Sequence, residues 1–308
     1  MIFCIDIGGT AVKLGLATHE GKILARHEAS VCFDGYATPI LTTVLREGQA
    51  FLAREGAAGR IEGVAISATG QVDDELGAVI GTNGKIPHYE GAQLRREAAA
   101  AFGVPAEALN DANAAALGEA AFGAAQGCRC VLMVTLGTGV GGGVVLDGRV
   151  YGGARGIAGE LGHFTLYQDG APCPCGKRGC FESYASTTAL MRAAQARFSD
   201  PALDGRAIFA RAAAGDPAMQ SLLDGWIGDI AAGLSGLVHI FNPELVLIGG
   251  GVSAQERLLI DPLRERVLTQ VMPRFAEGLR IERAQLGNDA GLIGAARFLL
   301  DRCPHLAR

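Results

Sequence analysis

The chain states one plan twice. Met1 to Ile7 is an apolar run ending in Asp6-Ile7-Gly8-Gly9-Thr10; Val12 to Ala17 follows, then the turn Glu20-Gly21-Lys22 and a third run, Ile23 to Ala29. About 130 residues on, Cys130 to Thr135 leads into Gly137-Thr138-Gly139-Val140-Gly141-Gly142-Gly143, then Val144 to Leu146 and the turn Asp147-Gly148. Short apolar runs bounded by turn residues read as strands. A repeat of strand, glycine loop and strand points to two domains built alike. Glycine turns between strands leave backbone N–H groups able to face an anion. The second loop also fits G-x-G-x-x-G, but that dinucleotide pattern needs a helix next, and here an apolar run with a hairpin turn follows.

The chain has 308 residues, enough for a large core and for two domains. A net charge of −5 and the lack of any Lys/Arg run offer no field for nucleic acid. The opening MIFCID lacks the basic region and cleavage site of a signal peptide. No apolar run of membrane-spanning length escapes interruption by Gly or polar residues. No nucleic-acid or membrane partner is expected. Of eight cysteines, three fall in the cluster described next and five are scattered in apolar contexts. A cytoplasmic, reducing setting fits this usage.

Gly159 to Glu182, GELGHFTLYQDGAPCPCGKRGCFE, places Cys173, Cys175 and Cys180 a short way after His163. Three thiols and an imidazole complete a tetrahedral zinc set with no open position, which is the composition of a structural site. Gly170, Gly176 and Gly179 allow tight turns around an ion, and Pro172 and Pro174 stiffen the backbone. Glu160 and Glu182 flank the cluster, so the knot would place two carboxylates against something polar.

The other segments give a coarse framework. Thr38 to Glu55 carries an apolar helical stripe, Gly63 to Ala68 is a strand, Thr69-Gly70-Gln71 a turn, Leu76 to Thr82 a strand and Gly91 to Phe102 a helix. Ser67, Gln71 and Asn83 are small polar groups at strand ends, suited to sugar hydroxyls or simply to turns. Val104 to Leu109 leads into Asn110-Asp111-Ala112-Asn113 and a long Ala-rich helix. Asp111 stands where a strand hands over to a helix, either as a carboxylate kept ionised by the helix N-terminus or as a plain N-cap. Asp6 could hold hydrated Mg²⁺ near phosphates, with Lys13 adding charge. Cys128 and Cys130 read as core thiols and His239 as a packed histidine. Helices are expected over Glu182 to Phe198, Asp204 to Ala214, Leu258 to Met272 and Ala290 to Leu300. Asp216-Pro217 caps a long helix to about Phe241. The strand Glu244 to Ile248 ends in Gly249-Gly250-Gly251, where a flat ring could lie against backbone.

DIGGT, NDANAAALGE, LGTGVGGG, GELGH with CPCGKRGCFE, IGGGVS and DAGLIGAA together resemble the ROK sugar kinases over essentially the whole chain. The resemblance implies an α/β, actin-like ATPase fold: two ribonuclease-H-like lobes, with ATP and sugar in the cleft between them. The lobes are expected at 1–111 and 112–289, with the helix of about 290–308 packing back on the first. It implies Asp111 as catalytic base, with Asn110, Glu160, His163 and Glu182 as sugar contacts, and Gly70, Gln71 and Asn83 in sugar-contacting loops. Asp6, Gly8, Gly9, Thr10, Lys13, Thr138 and Gly139 then belong to phosphate binding, and Gly250 and Gly251 to the adenosine side. His163, Cys173, Cys175 and Cys180 are the zinc ligands, and ATP, Mg²⁺ and structural Zn²⁺ the cofactors.

The implied reaction passes the γ-phosphoryl group of ATP in line to the 6-hydroxyl of a hexose, with Asp111 accepting the proton. Glucose is the first expectation. The alternative is N-acetylmannosamine or another N-acetylhexosamine, since ATGQVD and ASTTAL resemble segments of relatives assigned to N-acetylmannosamine. A sugar-responsive repressor or a non-catalytic sugar-binding protein is the rival from another class; the chain opens on its first strand at Ile2, without a helix-turn-helix before it. A homodimer or homotetramer is expected.

Overall fold

The computed structural model describes every residue but Thr10, Phe33, Asp34, Asn83, Lys85 and Arg308. Two of the expected site positions, Thr10 and Asn83, therefore lie outside the described residues. The first part of the chain forms β1 (Ile2–Ile7), β2 (Ala11–Ala17), β3 (Ile23–Ser30), α1 (Ile40–Arg54), β4 (Gly63–Ala68), β5 (Gln71–Asp73), β6 (Ala78–Gly81), α2 (Leu94–Phe102), β7 (Ala106–Asn110) and α3 (Asp111–Phe122). There follow β8 (Cys130–Leu136), β9 (Val140–Leu146), β10 (Arg149–Val150), α4 (Glu182–Ala185), α5 (Thr187–Phe198), α6 (Gly205–Ala213) and α7 (Pro217–Phe241). The chain ends with β11 (Leu245–Gly249), α8 (Asp261–Gln270), α9 (Pro273–Ala276), β12 (Arg280–Arg283) and α10 (Ala290–Arg302).

Two compact units result. The first comprises Met1–Gly127, Gly143–Gly159 and Leu286–Arg308; the second, Cys128–Gly142 and Glu160–Gln285. One five-stranded sheet runs β3-β2-β1-β4-β7 and the other β10-β9-β8-β11-β12, the unit boundary falling within β9. In the first, β1 is antiparallel to β2 and parallel to β4, and β4 is parallel to β7. In the second, β9 is antiparallel to β10, and β11 is parallel to β8 and β12. The same order of strands twice is the repeat read in the sequence.

In the first unit, β1 and β4 are buried at every residue. Both faces of a parallel pair must be covered, which is why these strands are apolar apart from Asp6 and Ser67. Phe3, Ile5 and Ile66 pack with Val44 and Phe51 of α1 and Leu94 of α2. Ile2, Cys4 and Ala65 pack instead with Leu292, Ala295 and Leu299 of α10. Helix α3 groups with this unit and does not open the second, contrary to the division expected at residue 112. Glycine is the reason: side chains at Gly118 and Gly294 would strike the backbone of the opposing helix, so α3 and α10 cross in near contact. In the second unit, Asp216 caps the long helix α7, its Oδ1 accepting from Ala218 N at 3.0 Å and Met219 N at 3.2 Å, with Pro217 in the first turn.

Several local expectations change. The loop expected over Gly137 to Gly143 closes by Gly139, and β9 begins at Val140. Gly142 and Gly143 are needed for close approach, to Leu161 and to Ala116 respectively. Leu76 to Thr82 yields only β6, paired with β5 where a turn was read. The helix expected from Glu182 breaks at Ser186, whose backbone is extended and whose Oγ accepts from Ala189 N at 3.1 Å, capping α5. A π-helical turn over Glu256–Ile260 precedes α8. Cys128 and Cys130 are half-buried and Cys32 is exposed, so these are not core thiols. His239 is exposed, accepting from Met272 N at 3.1 Å.

Candidate active site and metal centre

In the first unit, Asp6, next to last in β1, lies against Ser67 of β4, its register partner in the parallel ladder. The Ser67 hydroxyl donates to Oδ1 at 2.6 Å and Lys13 Nζ to Oδ2 at 3.1 Å. Ser67 is completely buried, so it faces Asp6 and not a sugar, which corrects its reading as a strand-end sugar contact. Lys13 also lies 3.5 Å from the carbonyl of Asn288, just before α10, and a side chain at Gly291 would press on Asp6 and Ser67. The Gly8 N–H donates to Ala11 O at 2.9 Å, which closes the β1–β2 turn tightly and leaves open space at Gly9.

Asn110, not Asp111, caps α3. Its Oδ1 accepts from Ala112 N at 2.9 Å and Asn113 N at 3.1 Å, while its Nδ2 donates to Gly70 O at 2.9 Å and to Asp111 Oδ1 at 3.1 Å. Asp111 is the first helical residue, its Oδ1 also 2.8 Å from Ala112 N. Its carboxylate therefore sits on the positive end of the helix without being the group that closes it. Gly70 has φ +92°, and a side chain there would meet Gly81 O. Gln71 is exposed, its Oε1 against Gly81. Burial raises the pKa of Tyr89, and the charges of Asp111 and Asp6 raise it further.

In the second unit the four expected metal ligands converge. One ligand atom from each of His163, Cys173, Cys175 and Cys180 falls within 4.8 Å of every other. Nδ1 of His163 is 3.6 Å from Cys173 Sγ, and the Sγ atoms of Cys175 and Cys180 are also 3.6 Å apart. Tetrahedral zinc with bonds of about 2.0 Å to nitrogen and 2.3 Å to sulfur needs ligand separations of roughly 3.5–3.8 Å; the donor types and these two separations match it. Gly179 and Gly176 take φ of +75° and +87°; at Gly179 a side chain would strike Tyr167 O. Nε2 of His163 is directed toward Glu160, 3.9 Å from Oε2. Burial raises the Glu160 pKa, His163 opposes this and Glu182 adds to it.

Glu182 joins the metal stretch to the second glycine loop. Its Oε2 accepts from Val140 N at 2.9 Å, its Oε1 is 3.9 Å from Cys173 Sγ, and a side chain at Gly139 would collide with the carboxylate. Thr138, on the same loop, has its carbonyl held by Thr188 Oγ1 at 2.8 Å. Gly250, with φ +89°, follows β11, and any side chain there would run into the backbone of Leu136; Gly251 faces open space.

The ROK family model matches residues 2–302. The chain belongs to the ROK family. It is 34% identical to a glucokinase of Thermotoga maritima over 97% of this chain and 96% of that one. It is similar to the ROK glucokinase of Streptomyces griseus solved with glucose and AMPPNP: TM-score 0.79, 33% identity, 96% of this chain and 98% of that one. Lmo2764 of Listeria monocytogenes, a proposed N-acetylmannosamine kinase, gives a TM-score of 0.84 at 30% identity over 98% and 99%. These ROK structures carry the actin-like ATPase fold expected for this chain.

Sequence reading missed the partners that hold these groups. Ser67 was legible only through the register of β1 and β4. Thr187 and Thr188 follow a break hidden in a helical run. Asn113 is buried beside Asp111, its Nδ2 3.4 Å from Ala158 O; its place in NDAN was the only signal.

Proposed function

We propose that the protein is an ATP-dependent hexokinase of the ROK type that transfers the γ-phosphoryl group to the 6-hydroxyl of a hexose, glucose first. The observation that carries this reading is the likeness, over nearly the full length of both chains, to a glucokinase solved with glucose and AMPPNP. Asp111 is the general base: it accepts the proton of the 6-hydroxyl as that oxygen attacks the γ-phosphorus in line. Asn110, Gly70, Glu160, His163 and Glu182 contact the sugar. Asp6, Gly8, Gly9, Lys13, Thr138 and Gly139 serve the phosphates, and Gly250 and Gly251 the adenosine. Asp6 is an oxygen donor of the kind Mg²⁺ takes, and bound Mg²⁺ would spread charge developing on the phosphoryl oxygens. Zinc on His163, Cys173, Cys175 and Cys180 would have a structural part, fixing the direction in which the second ring nitrogen of His163 is presented.

Phosphorylation of N-acetylmannosamine is the second reading, favoured by the likeness to Lmo2764. A coupled assay of ATP consumption with glucose, mannose, N-acetylglucosamine and N-acetylmannosamine tests both. The highest kcat/KM is expected with glucose. A clear preference for N-acetylmannosamine would select the second reading, and no ATP consumption with any hexose would overturn the kinase.

A further inference from the structure

The first turn of α5 grips the second glycine loop. Thr187 donates twice to the carbonyl of Gly137, from its backbone N at 2.9 Å and its Oγ1 at 2.6 Å. Thr188 Oγ1 donates to the next carbonyl, that of Thr138, at 2.8 Å. Two residues on, the Val140 N–H turns to Oε2 of Glu182 at 2.9 Å. Ser186, between Glu182 and the two threonines, breaks the helical run and caps α5, so the threonine hydroxyls meet the loop from a fixed helix end.

In a trans peptide the C=O and the following N–H point in opposite directions. With the carbonyls of Gly137 and Thr138 held by α5, the N–H groups of Thr138 and Gly139 are turned away from it. Two successive N–H groups held on one side of a loop form an anion-binding concavity. The Gly137 N–H is spent inside the turn, on Gly139 O at 3.0 Å, which keeps the loop short. Glu182 fixes the far end of the same turn, and it leaves the metal stretch only two residues after Cys180.

We infer that Thr187 and Thr188 are positioning residues for phosphate binding: their hydroxyls orient the Gly137–Gly139 peptides so that the Thr138 and Gly139 N–H groups face the transferred phosphate. The inference rests on the kinase reading. Neither threonine touches substrate in this account; each acts through a peptide plane. The segment Ser186-Thr187-Thr188 thus ties the end of the metal stretch to the phosphate loop within one unit.

The test compares Thr187→Val/Thr188→Val, which keeps β-branching and removes both hydroxyls, with Thr187→Ser/Thr188→Ser, which restores them. Each is assayed on zinc-replete protein for kcat, for KM of ATP and sugar, and for binding of a non-hydrolysable ATP analogue by calorimetry. The valine pair should raise the KM for ATP and weaken analogue binding about tenfold or more, because ångström-scale misplacement of an orienting group has effects of that order. Sugar KM and zinc content should stay near wild type, and the serine pair should recover the loss. Because Thr187 is half-buried, the exposed Thr188→Val alone is the fallback, with the same direction of change. An unchanged ATP KM in folded, zinc-loaded valine protein would overturn the inference, as would failure of the serine pair to recover it. A wild type that binds no nucleotide at all would remove the kinase reading itself, a different outcome from a nucleotide-binding wild type whose valine variant is indifferent.

Discussion

Ser67 and Asp6 are register partners on adjacent parallel strands, and the serine hydroxyl lies 2.6 Å from Oδ1 of the aspartate. Both are buried. Ser67→Ala would leave that oxygen short of a donor in the interior. The expected cost is about 1–3 kcal/mol of stability, with a raised Mg²⁺ requirement and little change in sugar KM. Chemical denaturation and Mg²⁺ titration of activity check this. A variant with unaltered stability and Mg²⁺ dependence would make the hydroxyl incidental.

Asp111→Asn removes the proposed base but keeps the cap, because Asn110 closes α3. Turnover should fall at least ~10²-fold, with nucleotide and sugar binding within a few-fold of wild type and an unchanged melting temperature. Near-normal turnover by the folded variant would return Asp111 to a structural role.

Cys175→Ala leaves three ligands in the metal stretch. Purified wild type is expected to carry one zinc per chain by elemental analysis. The variant should lose most of its zinc and raise sugar KM much more than ATP KM, because His163, Glu160 and Glu182 share its segment. If sugar KM holds while zinc is lost, the metal does not order the sugar contacts.

Glu119 is a carboxylate with no exposure, accepting from Ala124 N at 2.9 Å and Leu286 N at 2.7 Å. It ties the end of α3 to the segment that enters α10. Glu119→Ala strands two half-buried donors and should cost about 1–3 kcal/mol, seen as a lowered urea midpoint; Glu119→Gln should recover part of it.

The α-amino group of Met1, 2.9 Å from Glu62, lowers the Glu62 pKa, and His19 at 2.7 Å assists. A carboxylate whose pKa is lowered on folding adds stability above its unfolded value and loses it as pH falls through the folded value. Glu62→Gln should therefore cost stability at neutral pH and less at an acid pH below the folded value. With the side chain nearly half exposed, the difference should stay below about 1 kcal/mol. Denaturation midpoints at the two pH values read it directly; an equal cost at both would point to packing.

The sequence was most legible where chemistry is local. The four candidate metal ligands that converge in the structure lie in one stretch whose glycines and prolines announce its turns, and Asp216-Pro217 marks the start of α7 by residues side by side. The duplicated strand order was visible because both hairpins keep their glycine turns. What stayed hidden depends on distant pairing. Asn110 and Asp111 are both good caps, and only Asn110's bonds to Ala112, Asn113 and Gly70 show which one closes the helix. Gly142 and Gly143 look like loop residues until Leu161 and Ala116 press on them. That α3 groups with the first unit was hidden too, because the contact of Gly118 with α10 joins segments far apart in the chain.

That joining bears on how the protein is made. One face of the first sheet, with Ile2, Cys4 and Ala65, is covered by Leu292, Ala295 and Leu299. Strand β1 thus leaves the ribosome long before α10 and waits for it. At about 5–20 residues per second, the apolar face stays uncovered for roughly 15 to 60 seconds per molecule. The stretch from His163 to Cys180, all of whose candidate ligands emerge together, carries no such delay.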